Sequence, residues 1–354
     1  MIVGKNNIMI RPSADTTGSR FFYSGKDYGS ESLVNPLTLI LQGSFGILQL
    51  ENRSKNPFDV PYESSWRNVW DNLTHPLRAI KDYGVRNFLL EQVVPFSVNT
   101  HQSYYWPNYT LHLIGGGMSY RMMHEWYEQH HYPGAAYWSL VTLGAYHLLN
   151  EVVENNNFQG NNVDPVADCF IFNPLGILLF SHDRIARFFS ETLNLSDWSY
   201  QIGYDPVRRV LLNNGQNFMM RWRIPKSERW HLFYHFGNHG EMGFSFRRNG
   251  TDYWSVAAGF SSSRLFDAKN RQGILELTTQ LVGSIGFFYD RDKSLLFSIQ
   301  YVQKEQNALR INIYPGLVRL PVGNPGLFFT LDRDRRGSVG ITFPFLPVQP
   351  GTRF

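Results

Sequence analysis

The sequence lacks most of the signals that would settle a function at sight. It holds one cysteine in 354 residues, Cys169, which excludes an internal disulfide and an all-cysteine metal site. No apolar run approaches the roughly 20 residues of a membrane-spanning helix. The best, Cys169 to Phe180, is broken by Asn173 and Pro174. Charge is scarce too. Only 18% of residues are charged and the formal net charge is +4, with no dense Lys/Arg run, so nucleic acid is not an expected partner. Phosphate-cradling loops, dinucleotide fingerprints and zinc-protease motifs are missing, and no cofactor is expected. The opening residues, Met1-Ile2-Val3-Gly4-Lys5, have no signal-peptide core. Given the β-rich second half, the preferred expectation is a mature exported chain numbered after cleavage.

What is abundant is aromatic. Phe, Tyr and Trp reach 16% of residues, a level that membrane barrels attain because aromatic girdles sit at both lipid interfaces. From Asn217 onward the hydrophobic period is two. Trp230, Leu232, Tyr234 and Phe236 alternate with His231, Phe233 and His235. Leu295 to Val302, Leu309 to Tyr314 and Leu327 to Asp332 alternate likewise, and charged or Gly-containing turns such as Asp290-Arg291-Asp292-Lys293 divide them. The pattern predicts about nine antiparallel strands here, several near ten residues long. A lipid-facing barrel and a soluble barrel with an apolar core both give this alternation. The expected fold is mainly β with a helical insert: an antiparallel outer-membrane-type β-barrel of about 8–12 strands, filled or capped by a helix hairpin.

Four regions follow. Residues 1–62 read as N-terminal strands (Ile8–Ile10, Arg20–Tyr23, Leu37–Leu50) contributing to the same barrel as residues 201–354. Residues 63–95 read as an amphipathic helix and linker, with Pro76 restarting the helix. Its Trp66, Val69, Trp70, Leu73, Leu77 and Ile80 stripe is expected to pack on the main body, with a membrane surface as the alternative. Residues 96–200 form a helical segment whose hairpin spans 111–154, turning at Pro133-Gly134. Gly115-Gly116-Gly117 and Gly144 are costly in helices, which predicts close backbone approach at both places.

The chemistry-bearing residues lie in that hairpin. On the second helix, Leu140, Gly144, His147, Leu148 and Glu151 share one stripe, expected to be buried. Folding the hairpin brings His112 level with Glu151. The spacing therefore predicts a His112, His147, Glu151 cluster, which Asp164 and Asp168 can join. A buried histidine beside a carboxylate can serve as a general base or hold a metal, though no metal is specified. It can also simply satisfy buried polar groups, and that structural reading is preferred. The pair His124 and Glu128 reads as a solvated face together with Glu125. Ser181-His182-Asp183 has the letters of a hydrolase triad, but adjacent residues cannot form its geometry and a helix start explains them.

His101 after Asn99, a hairpin ending near Glu151, Asp164 and Asp168, and Asn173-Pro174-Leu175-Gly176 together resemble an uncharacterised family of Gram-negative envelope proteins. The resemblance covers about residues 95–200. Gln102 departs from it, standing where a proline usually follows the histidine. The family has no assigned activity, so the resemblance implies an envelope location, with His101, Asp164, Asp168 and Asn173 as candidate binding residues. The resulting expectation is an outer-membrane barrel with a non-enzymatic role in envelope assembly, scaffolding or limited transport. Its expected partners are outer-membrane lipid and other envelope proteins. The alternative is a barrel-borne hydrolase or acyltransferase acting on envelope lipid through His112, His147 and Glu151.

Overall fold

A computed structural model describes residues 20–94, 105–269, 273, 275–318, 323–344 and 346–354. It is mixed α/β: a helical first half and a mostly antiparallel sheet of thirteen strands among the described residues. The predicted strands at Ile8–Ile10 lie outside the described residues.

The predicted strand Leu37–Leu50 is instead a helix, Pro36–Phe45, followed by a 3-10 turn at Gly46–Gln49. Asn35 caps it, its Oδ1 accepting from the Thr38 amide at 2.9 Å, and Pro36 supplies a fixed φ at the first position. That Asn-Pro start outweighs the β-branched and aromatic content behind it. The segment Phe21–Tyr23 is not a strand either. Its three amides donate to the Glu125 carboxylate at 2.7–2.9 Å, and Arg121 Nε donates to the same group at 3.0 Å. Glu125 is therefore buried and not on a solvated face.

The amphipathic region forms Tyr62–Thr74 and Pro76–Tyr83, restarted at Pro76 as expected. The face it buries is the smaller one, Ser65, Val69, Asn72, Ala79 and Tyr83. Trp66 and Trp70 stack on each other in the open, and Leu77 is 81% exposed. The expected packing of the tryptophans on the main body is thus overturned.

The strands are β1 (Ser196–Asp197), β2 (Gly203–Asp205), β3 (Val210–Leu212), β4 (Asn217–Arg223), β5 (Trp230–Gly237), β6 (His239–Asn249) and β7 (Asp252–Lys269). After them come β8 (Leu275–Arg291), β9 (Ser294–Val302), β10 (Leu309–Ile313), β11 (Gly326–Leu331), β12 (Gly337–Thr342) and β13 (Gln349–Arg353). From β4 to β13 each pairs antiparallel with the next, while β1 pairs with β4 and β2 pairs parallel with β13. The order ends on β1 and β3, so pairing does not close the sheet into a barrel. Both margins nonetheless belong to one short stretch. Between β1 and β2, Trp198 donates its amide to Asn217 and Tyr200 to Gly215, and Ile202 accepts from Gln349 across at β13.

One face of the sheet carries apolar rows that are largely exposed. One cross-strand row reads Trp222, Leu232, Phe244, Val256, Phe287, Ile299, Ile311, Phe329, Val339. The rows beside it contain Met242, Ile285 and Tyr301 on one side and Trp230, Leu327 and Ile341 on the other, and all six of these side chains are exposed. The opposite face is buried and mixed: Ser245, Ser255, Ser298, Gln300, Arg310, Asn312, Thr330 and Ser338 lie on it, together with an apolar cluster of Trp198, Met219, Phe233, Ala257, Phe288 and Leu295. There Ser245 meets Ser255 at 2.6 Å, Thr330 meets Ser338 at 2.6 Å, and Arg221 grips Asp290 through two bonds of 2.8–2.9 Å.

The helical layer covers the β4–β5 end of the apolar face and also packs on the β2–β3 margin, where Phe45, Leu48 and Val153 meet Ile202 and Leu211. Phe218, Met220 and Phe236 share a core with Met118, Met122, Tyr146 and Phe180. The hairpin therefore lies against the apolar side of the sheet and neither fills nor caps its polar side. Its first arm is π-helical over Asn108–Gly116 and α-helical over Gly117–Gln129; its second is Ala135–Asn155. The glycine triplet is closely packed, since a Cβ at Gly117 would lie 2.5 Å from the Phe180 ring and 2.7 Å from the Gly176 carbonyl oxygen. Gly144 is not: nothing lies within 4 Å, and it is exposed beside Tyr137, Leu140 and Val141. Leu140 and Gly144 thus fall outside the buried stripe predicted for them.

Candidate functional site

Four helical pieces converge on one buried cluster. His112 comes from the π-helical start of the hairpin, His147 and Glu151 from the second arm, Asp168 from the π-helical piece Asp168–Phe172, and Asn173 from the first turn of Asn173–Phe180. Close approach makes this possible. A Cβ on Gly116 would stand 3.2 Å from His147 Nε2, and one on Gly176 would stand 2.5 Å from the Leu113 carbonyl oxygen. The widened π turns rotate His112 and Asp168 inward without ending their helices.

The predicted His112, His147, Glu151 grouping is present in space. His112 is 7% exposed, His147 5%, Glu151 2% and Asp168 1%. His112 Nε2 lies 3.2 Å from Asp168 Oδ2, and His112 Nδ1 lies 3.1 Å from Asn173 Oδ1. The His112 and His147 rings are 5.3 Å apart, and His147 stacks on Tyr146 at 4.1 Å. One ligand atom each from His112, Glu151 and Asp168 falls within 4.8 Å of the others. Three buried polar atoms here have no hydrogen-bond partner: His147 Nδ1, Glu151 Oε1 and Asp168 Oδ1.

Burial dominates the electrostatics. It pushes the Asp168 carboxyl well above its ordinary range, helped by the nearby Asp164, Glu151 and Glu154 charges. Glu151 rises for the same reason, beside Asp164 and Glu154. Asp164, only partly buried, is pushed up to about 7 by desolvation and by Glu154. Desolvation lowers His112 to about 4 against the opposing Asn173 hydrogen bond, and desolvation with the neighbouring His112 lowers His147 well below its ordinary value. In the absence of a counter-cation the cluster favours neutral acids and neutral imidazoles.

Asp164 enters the cluster through its field rather than by contact, and Asn173 enters it directly. His101 lies outside the described residues. His124 and Glu128 are 3.8 Å apart on a largely open helix face, and Ser181, His182 and Asp183 are exposed where a short helix begins. Glu154, which spacing alone did not single out, adds a further carboxylate with a raised pKa, countered by Arg53. A second polar network lies on the buried face of the sheet. His235 Nδ1 meets Glu241 at 2.9 Å, and Tyr200 OH lies 2.6 Å from both His239 Nε2 and Gln300 Oε1. Alternation exposed His231 and His235 as one side of β5, but their partners come from distant strands. A cavity of about 280 Å³ opens elsewhere, between Phe22, Glu31, Ser190, Asp197 and Lys293, and does not reach the cluster. No family model, curated protein or solved structure matches the chain.

Proposed function

We propose that this chain is a β-barrel protein of a Gram-negative outer membrane, with a non-enzymatic role in envelope assembly, scaffolding or limited transport. In this reading the apolar rows of β5–β12 contact lipid. The stretch from β1 to β3 completes the wall by joining both margins, and the helical half flanks the barrel beside β4 and β5.

One observation carries the reading: the sheet leaves its Phe, Ile, Val and Met rows exposed on one face while the other, besides an apolar cluster around Phe233 and Phe288, buries its serines, asparagines and charged pairs. In water each large apolar side chain left exposed forgoes about 1.5–3 kcal/mol of burial. Contiguous apolar patches beyond a few hundred Å² are unusual on soluble monomers. Hydrocarbon removes that penalty, and a polar interior with an apolar exterior is the arrangement a membrane barrel requires. The open Trp66–Trp70 stack and Leu77 extend the same logic to the helical half, as anchors at the membrane surface.

No single helix among the described residues is long and apolar enough to cross a membrane, so the strands carry the proposed insertion. The alternative, a hydrolase or acyltransferase working through His112, His147 and Glu151, gains no support from burial. Side chains 2–7% exposed offer an acyl chain no approach.

The test is solution behaviour. The protein is expected to stay monodisperse in detergent or lipid and to aggregate when detergent is removed. A stable monomer in plain buffer with native near-UV circular dichroism would refute the proposal. For the non-enzymatic part, Glu151→Gln is expected to lower the melting temperature and leave envelope lipids unchanged. Normal melting with altered lipid acylation would instead establish the enzyme reading.

A further inference from the structure

We infer that His112, Glu151 and Asp168 bind one divalent first-row transition-metal ion, with zinc as the natural probe. The inference uses only the helical half and does not depend on the membrane reading.

The hydrogen-bond geometry around His112 leads to it. Asn173 Oδ1 accepts, so the ring nitrogen 3.1 Å away, Nδ1, carries the proton. A neutral imidazole then has a lone pair on Nε2, and that lone pair points at Asp168 Oδ2, itself an acceptor, 3.2 Å away. A proton on Asp168 would bridge these two atoms and nothing else, whereas a cation would bridge them and also reach the oxygens that a proton leaves without a partner. Glu151 Oε1 and Asp168 Oδ1 add two more buried oxygens with no partner. A single ion of charge +2 would neutralise both carboxylates, satisfy the Nε2 lone pair and remove the cost of the orphaned oxygens. Asn173 would then act as a positioning residue, fixing tautomer and ring orientation through Nδ1 as outer partners of metal-bound histidines do.

The dimensions fit after closure of about 1 Å at the widest pair. Metal–nitrogen and metal–oxygen bonds of about 2.0–2.2 Å in tetrahedral geometry place ligand atoms about 3.3–3.6 Å apart, a spacing that His112 Nε2 and Asp168 Oδ2 already approach at 3.2 Å. The atoms here lie within 4.8 Å of one another. The donor set selects the class. One imidazole with two carboxylates suits zinc, manganese or iron, while calcium and magnesium favour oxygen alone. The converging ligand atoms come from His112, Glu151 and Asp168 and not from Cys169. Three protein ligands leave a coordination position free, and the unpartnered His147 Nδ1 lies in the same buried group. Because the site is closed, loading is expected during folding or through local opening rather than by rapid exchange.

The experiment uses the full chain, refolded with and without Zn²⁺ and washed, followed by elemental analysis and by titration with Co²⁺ as a spectroscopic probe. One equivalent per chain is expected, with a cobalt spectrum of nitrogen and oxygen ligation and no thiolate band. Glu151→Gln and Asp168→Asn should abolish stoichiometric binding. Asn173→Ala should weaken it about 10–100-fold, and His124→Gln on the open helix face should leave it unchanged. Substoichiometric metal in the wild type, or equal binding by the Asp168 variant, would overturn the inference. Should the variants fail to fold, ¹⁵N NMR of wild-type His112 decides. The expected result is a protonated Nδ1 and an Nε2 resonance shifted by metal; a protonated Nε2 would refute the site and leave a shared proton in its place.

Discussion

Placing a charge on the apolar face of the sheet separates a lipid-facing surface from an unusual water-facing one. Ile285 is the most informative position. It is 50% exposed on β8, lies opposite Ala258 on one side and Tyr301 on the other, and precedes Phe287 on the same face. On a lipid face near the bilayer centre, Ile285→Lys should cost about 2–4 kcal/mol. On a water-exposed face the same change should fall within about 0.5 kcal/mol of zero, because little burial is lost and the ammonium stays hydrated. The gap between these figures exceeds the error of a denaturant titration. The assay is reversible unfolding in urea after insertion into vesicles, with Ile285→Val as the conservative control at the same position. Moving the charge outward to Trp230, at the turn end of the apolar rows, should reduce the cost toward 0–1 kcal/mol, as depth dependence requires. Equal, small effects at both positions would refute the lipid-facing assignment. So would an Ile285→Lys protein that becomes more soluble and remains native in buffer.

Three further outcomes follow from packing and charge. Gly117→Leu should cost about 1–3 kcal/mol or more by overpacking against Phe180 and the Gly176 carbonyl, whereas Gly144→Leu should be near neutral or stabilising; thermal melts in one detergent compare them. Arg221→Met should cost about 3–5 kcal/mol, since it strands the buried Asp290 carboxylate that Arg221 holds bidentately, and the double variant with Asp290→Leu should recover much of the loss. The pH dependence has a definite sign. Carboxyls raised in the folded state contribute stability that is fully present below about pH 4 and is lost as pH rises through their folded values, about 7 for Asp164 and well above the ordinary range for Glu151 and Asp168. His112, lowered to about 4, works the other way: its contribution is present above its ordinary value of about 6.5 and is lost as pH falls through about 4. Above about pH 6.5 only the carboxyls of this cluster still change, while Lys304 and Lys55, lowered by burial to about 7 and about 8, act with the opposite sign. The cluster's slope is therefore read against Asp168→Asn, and metal-free wild type should lose more melting temperature than that variant between pH 6.5 and pH 8. Added Zn²⁺ should remove that slope, because the ion favours the ionised carboxylates.

The parts of this fold that were legible in the sequence are those set by local periodicity. Strand alternation after Asn217 is fixed by the two-residue repeat of the backbone, and the hairpin bounds by Pro133-Gly134 and helical spacing. The grouping of His112, His147 and Glu151 followed from level positions on two antiparallel helices. What escaped depended on distant partners. Nothing near Glu125 announces that it receives three amides from Phe21–Tyr23, so its charged neighbours suggested an open surface. The Leu140–Gly144 face and the Trp66–Trp70 face differ for another reason: helical spacing groups apolar residues on one side of a helix but does not say whether a partner covers that side, and here none of the described residues does. Leu37–Leu50 is a plain misreading, as Asn35-Pro36 is a local helix start that its hydrophobic content obscured.

The stretch from β1 to β3 has a consequence for the order of assembly. β2 can pair with β13 only after the whole intervening meander has been made, and the Arg353 amide reaches back to Asp205 at 2.9 Å. Contacts that wait for so much chain carry a large loop-closure cost and slow the search for the native state. Until that late strand arrives, β2 and β3 present an unpaired edge beside an apolar surface, the condition under which chains aggregate or recruit a holding partner. The nascent protein is therefore most vulnerable in the interval between synthesis of β3 and synthesis of β13, and that interval spans nearly all of the sheet.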